Sequence, residues 1–146
     1  MAVVLAACTQ STLLHHSEPV DEDGWSRTDT LQYNLPTIPE DGNYQIQVGL
    51  RYDVRFPYQG LWIVAEVSLH HPMAYHCDTL YFKTADEEGH FIGTGLNLLQ
   101  TEIKLTTLHL QKGQSGKIRL HHIMQREVLP SIKDVGVKLS VKSEAS

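Results

Sequence analysis

Little in this sequence commits it to a familiar chemistry. Only two cysteines, Cys8 and Cys77, occur among its 146 residues, so no disulfide framework can hold the fold. Twelve Lys and Arg stand against seventeen Asp and Glu, a formal charge of −5. That shortage of bases argues against nucleic acid as a partner, because phosphates reward an excess of cations. No apolar run approaches the roughly 20 residues of a membrane-spanning helix. The sequence has no Gly-x-Ser-x-Gly elbow, no His-Glu-x-x-His zinc motif and no phosphate-cradling loop; Gly93-Thr94-Gly95 lacks a third glycine and a following helix. Internal repeats and low-complexity tracts are also missing. What is present, 41% hydrophobic against 20% charged residues, is apolar enough to bury a core, and the length fits one domain.

The amino terminus is the most informative stretch. Residues 1–8 are uniformly small or apolar, and polar Thr9, Gln10, Ser11 and Thr12 follow. Leu5-Ala6-Ala7-Cys8 resembles the bacterial lipobox, in which small residues precede a cysteine whose thiol takes a diacylglycerol and whose amine is acylated after cleavage. On that reading residues 1–7 are a signal remnant, Cys8 is the site of lipid attachment, and the chain is held at a membrane without spanning it. The apolar stretch is short for such a signal, and no Lys or Arg precedes Cys8. The competing reading is a buried strand with a core cysteine. If Cys8 is the anchor, Cys77 is a lone thiol, expected to be buried. Residues 8–30 carry many Ser, Thr, Asp and Glu and few large apolars, which suggests a tether or extended arm. The folded domain is then expected over residues 31–142.

Period-two alternation dominates that body. Tyr44, Ile46, Val48, Leu50 and Tyr52 share one parity, and Gln45, Gln47, Gly49 and Arg51 the other; Val135, Val137, Leu139 and Val141 repeat the pattern near the carboxy end. Residues 61–69 are more continuously apolar, as in a strand covered on both faces. Further strands are expected over 77–83, 105–110 and 117–124, separated by turns at 56–60, 86–89 and 113–116, with a helical period conceivable only over 124–129. Short strands at near-regular spacing predict an all-β fold: an antiparallel β-sandwich, jelly-roll or immunoglobulin-like, in a single domain. Charge is uneven along the chain, from eight acids and two bases in residues 1–53 to four acids and eight bases in residues 99–146. Interleaving of strands from both halves is expected to disperse it over a solvated surface.

Few groups stand out as chemically active. Nine histidines include the pairs His15-His16, His70-His71 and His121-His122. His71-x₄-His76 has a zinc-like spacing and Cys77 adjoins it, but adjacent strand residues point to opposite faces and no second ligand pair follows. Asp86-Glu87-Glu88-Gly89 reads as a solvated turn rather than as two carboxylates across a cleft. No enzymatic activity, metal or cofactor is therefore expected. Tyr52, Phe56, Tyr58 and Trp62 give aromatic density near one turn. Trp62 and Tyr58, if exposed, could stack on a sugar or fill a partner's pocket, although an apolar strand more naturally buries Trp62 in the core.

The order of several motifs is similar to one family. Tyr44-x-Ile46 leading to Leu50-Arg51, then Phe56-Pro57-Tyr58 and Leu61-Trp62, resembles the first signature of the GldH gliding-motility lipoproteins of the Bacteroidetes. Asp78-Thr79 followed by Gly89-His90-Phe91-Ile92-Gly93-Thr94-Gly95 resembles the second. The third is Met124-Gln125-Arg126 with Leu129-Pro130-Ser131-Ile132-Lys133-Asp134-Val135-Gly136-Val137. The similarity runs over about residues 33–141. The chain departs from the family at Gly60, where Asn is favoured, and at Phe91, Gln125 and Pro130-Ser131.

The resemblance implies a membrane-anchored, non-catalytic accessory lipoprotein that contacts other envelope proteins in a motility- or secretion-linked assembly. It also implies Arg51 and Arg126 as fixed charges of the sheet framework, serving packing and internal ion pairs more readily than a ligand. A carbohydrate- or peptidoglycan-binding sandwich is the alternative, with the identity of any small ligand left open. The residues after Cys8, with no Asp at the next position and no acid run, point to outer-membrane anchoring that faces the periplasm.

Overall fold

Alternation along β4 (Gly42–Asp53) sets the frame: Tyr44, Ile46, Val48, Leu50 and Tyr52 are at most 2% exposed, while Gln45, Gln47 and Gly49 between them are half-buried. The computed structural model describes residues 12–142, and among them every regular element is a strand. One sheet has the order β1 (Thr12–Pro19), β10 (Ile132–Val141), β4, β7 (Leu98–Leu110). The other has β3 (Leu31–Leu35), β8 (Ser115–His122), β5 (Gly60–His70), β6 (Ala74–Lys83). A two-stranded ribbon joins β2 (Trp25–Ser26) to β9 (Val128–Leu129).

All pairings are antiparallel, and five of them are nested: β1 with β10, β2 with β9, β3 with β8, β4 with β7, β5 with β6; β4 also pairs with β10 and β5 with β8. This long hairpin folded over on itself is the jelly-roll form of the β-sandwich, so the expected all-β antiparallel sandwich is the fold observed. The core lies between the sheets, where Val135, Val137 and Leu139 of β10 meet Ile63, Ala65 and Val67 of β5 and Ile118 and Leu120 of β8, all fully buried. Tyr33 ties the layers together: its hydroxyl donates to the Val135 carbonyl at 2.5 Å, and burial, with Glu18 and Asp134 nearby, pushes its pKa up.

Four sequence expectations are corrected. Strand β5 is covered on one face only; Trp62 is exposed and Val64, Glu66 and Ser68 are half-buried, because a two-layer fold has no third layer to cover them. Residues 124–129 form no helix, since their backbone groups are committed elsewhere: Met124 N–H donates to His122 Nδ1 and the Glu127 carbonyl accepts from Arg27 N–H. Cys77 is exposed, not buried. The stretch read as an arm supplies structure from Thr12 onward. Residues Thr12–Pro19 pair with β10, and Trp25 is wholly buried with its Nε1 donating to the Asp29 carbonyl at 2.9 Å. Cys8 and its neighbours lie outside the described residues.

His122 locks this segment to the body. Both oxygens near its Nε2 are carbonyls, Trp25 at 2.8 Å and Glu127 at 3.1 Å, so Nε2 carries the proton and Nδ1 accepts from Met124. Burial lowers the imidazole pKa against the opposing pull of the two carbonyls. The fold thus favours the neutral ring. Its contribution to stability is complete above the ordinary value of about 6.5 and falls as pH drops from there toward the folded value. Urea midpoints measured at pH 7.5 and pH 5 are expected to differ less in His122→Gln than in the parent chain. An equal fall in both would assign the acid lability elsewhere.

Candidate functional site

The residues singled out from sequence that fall among the described residues occupy four separate places. Arg51 points from the outer face of β4. There it pairs in register with Asp134 of β10; its Nε lies 2.9 and 2.8 Å from the two Asp134 oxygens, and Nη2 also donates to Oδ2. Asp134 is almost covered while the guanidinium is half-exposed. The carboxylate, first by hydrogen bonding and then by charge, holds Arg51 more firmly protonated. Both oxygens of Asp134 are engaged by this clamp. Opposite charges directly across an antiparallel pair fix register, and they do so here between two central strands.

Beside the clamp lies a groove of about 190 Å³ lined by His15, Ser17, Gly49, Arg51, Gln100, Glu102, Asp134, Gly136 and Lys138. Its floor is the facing pair Gly49 and Gly136, two mid-strand positions without side chains. The charged walls balance, with Arg51 and Lys138 against Asp134 and Glu102. The two glycines differ in what they permit. A Cβ on Gly49 would meet nothing nearer than 3.8 Å, whereas one on Gly136 would stand 2.6 Å from Ser17 Oγ. Gly49→Thr is therefore expected to stabilise the fold by about 0.5–1 kcal/mol through strand propensity. Gly136→Thr is expected to lower the thermal midpoint, and calorimetry of the two variants checks both signs.

Trp62 lies on the outer face of the other sheet. It is 46% exposed, against the expectation of a core position, and its ring sits 4.7 Å from that of Tyr81, its register partner on β6. Gly60 makes this possible: the Tyr81 ring lies over it so closely that a Cβ there would fall 1.9 Å from the hydroxyl. Tyr58 is not part of this pair. It is half-buried against Phe56, with ring centroids 5.6 Å apart, and Phe56 packs in turn on Tyr52. Arg126 is exposed in the loop between β8 and β9, outside either sheet. Sequence reasoning missed Tyr81 and Asp134. The parity of β5, which sets Trp62 opposite Leu61, Ile63 and Ala65, was the available signal for an outward Trp62.

Ten large apolar side chains are exposed among the described residues, and they are not scattered. Eight gather at one end of the sandwich: Val54, Trp62, Tyr81, Phe91, Leu96, Leu98, Ile123 and Val128. This end is built from the loops 54–59, 84–97 and 123–127 with the adjoining strand termini. Leu96 is 90% exposed. Exposed apolar side chains gathered at one end of a fold suit an interaction site, and Trp and Tyr supply the strongest anchors.

Among the described residues one group could offer three ligand atoms to a metal: Asp86, Glu88 and His90, whose donor atoms lie within 4.8 Å of one another. Asp86 Oδ1 already accepts the backbone N–H of His90 at 2.8 Å and of Glu88 at 2.9 Å, and the His90 amide foremost holds this carboxyl below its ordinary range. His70, His71, His76 and Cys77 do not form such a group.

Comparison with known proteins places these surfaces in context. A sequence model described as GldH lipoprotein matches residues 12–139. A relative, the gliding motility lipoprotein GldH of Flavobacterium johnsoniae, is 24% identical, with 97% of this chain and 92% of the relative covered. Among solved structures, a family 35 carbohydrate-binding module from Clostridium thermocellum is 16% identical with a TM-score of 0.40, covering 83% of this chain and 86% of that one. The Eiger TNF of S. frugiperda is 11% identical with a TM-score of 0.36, covering 94% and 90%.

Proposed function

The chain belongs to the GldH lipoprotein family, and from that premise we propose that it is a membrane-anchored, non-catalytic lipoprotein of the cell envelope. It acts through protein–protein contacts in a motility- or secretion-linked assembly, anchored through Cys8 to the outer membrane and facing the periplasm. The observation that carries the reading is the clustering of exposed apolar side chains at one end of the sandwich, with Trp62 and Tyr81 as its bulkiest members after exposure is counted and Leu96 as its most exposed.

Photo-crosslinkers placed at Trp62 and Leu96 in membranes test the reading, with Lys104 on the outer face of β7 as control. The expected result is reproducible adducts with envelope proteins from the first two positions and none from Lys104. Absence of any protein adduct from Trp62 and Leu96 overturns it.

The exposed Trp62–Tyr81 pair also favours a second reading, a carbohydrate- or peptidoglycan-binding face, because a flat aromatic surface suits the apolar side of a sugar ring. Titration of tryptophan fluorescence with peptidoglycan fragments separates the two. A saturable change lost in Trp62→Ala supports the glycan reading, and an unchanged signal alongside protein adducts supports the first.

A further inference from the structure

We propose that the end of the sandwich opposite the apolar cluster rests on the lipid surface, with Met73 and Tyr75 entering its interfacial layer. The inference deepens the reading above and rests on Cys8 as the lipidated residue.

The spacing of the chain is the first argument. Three residues separate Cys8 from Thr12, where β1 is already paired with Ser140 of β10. Four Cα steps reach about 14 Å at full extension, so the sandwich has no long tether. Whatever surrounds Thr12 lies near the membrane.

Topology says what that is. Ser140 pairs with Gln45, and beyond it Gly42 pairs with Leu110, so this end of the first sheet holds the start of β4 and the end of β7. The connections 36–41 and 111–114 run from there to Leu35 and Ser115 at one end of the second sheet. The β5–β6 turn belongs to the same end: Gln114, itself buried, donates its side-chain amide to the Pro72 carbonyl at 2.8 Å.

On that turn sits Met73, 84% exposed, and Tyr75, the second residue of β6, is 64% exposed. These are the two exposed large apolar side chains, among the ten, that the far cluster does not contain. A flexible thioether and an amphipathic ring are suited to the boundary between headgroups and acyl chains. Charge is nearly balanced here: Lys112, Lys117 and Lys142 stand against Glu40 and Asp41. The contact is therefore apolar and insensitive to salt. The twelve residues of β4 place the opposite end about 40 Å from the membrane, free for a protein partner.

The test uses the lipidated full chain reconstituted into neutral phosphatidylcholine–phosphatidylethanolamine vesicles. Nitroxide labels are introduced through Met73→Cys or Leu96→Cys in a Cys77→Ser background. Both labelled positions are exposed, so neither substitution disturbs packing. Accessibility to oxygen and to a water-soluble nickel chelate reports depth. The expected result is a label at position 73 shielded from the chelate at headgroup depth, one at position 96 fully aqueous, and no change between low and high salt. A label at position 73 as aqueous as that at 96, in protein whose Cys8 carries acyl chains by mass spectrometry, overturns the orientation and leaves the anchor intact. Absence of acyl chains on Cys8 overturns both.

Discussion

Trp25→Ala should lower the unfolding free energy by about 3–5 kcal/mol, the range for removing a fully buried tryptophan. The indole is wholly enclosed, donates to the Asp29 carbonyl, and stands edge-on to His122 with centroids 5.3 Å apart. Its backbone carbonyl is also one of the two that receive the His122 proton. Truncation therefore opens a cavity and removes the ring against which the histidine is packed. Against a total stability of roughly 5–15 kcal/mol for a domain of this size, that loss is a large fraction of the whole. Chemical denaturation followed by circular dichroism checks it. A midpoint unchanged by the substitution would mean that residues 20–30 hang free of the body.

Cys8→Ser should move the protein from the membrane fraction to the soluble fraction. Each buried methylene of an acyl chain contributes about 0.8 kcal/mol, and two or more chains make anchoring stable, whereas Met73 and Tyr75 alone offer too little area to retain the protein. Detergent phase partition of the two forms reads the change directly. Retention of the serine variant in the membrane fraction would shift the anchoring role from the lipid to the protein surface.

Much of the sandwich was legible because burial on one face writes itself into sequence as alternation. The inner row of β4, from Tyr44 to Tyr52, and the Val135, Val137, Leu139 row of β10 could be read without coordinates, and both are buried as that parity demands. The first strand was not legible. His15, His16, Ser17 and Glu18 look like tether composition, yet an edge strand with one solvated side needs only the modest burial that Leu13 and Leu14 provide. Trp25 was hidden for a related reason: its two-residue strand is too short to carry a period, and the acidic turn before it suggested solvent.

The sites divide in the same way. Trp62 follows from parity once β5 is known to have a single covered face. Tyr81 beside it follows only from the β5–β6 register, in which Gly60 and Lys83 pair and every later contact is set. Arg51 and Asp134 are 83 residues apart, and nothing local signals their meeting; only the pairing of β4 with β10 in the middle of one sheet brings them together. The gathering of apolar side chains at one end is likewise a property of loops that converge in space and not in sequence.

The lipid anchor at Cys8 sets one end of the proposed arrangement at the membrane and leaves the other for partners. Intact-mass and peptide mass spectrometry of the native amino terminus tests it most directly. The predicted result is a chain that begins at Cys8 with two or three acyl chains on that residue; an unmodified chain that begins at Met1 would contradict it.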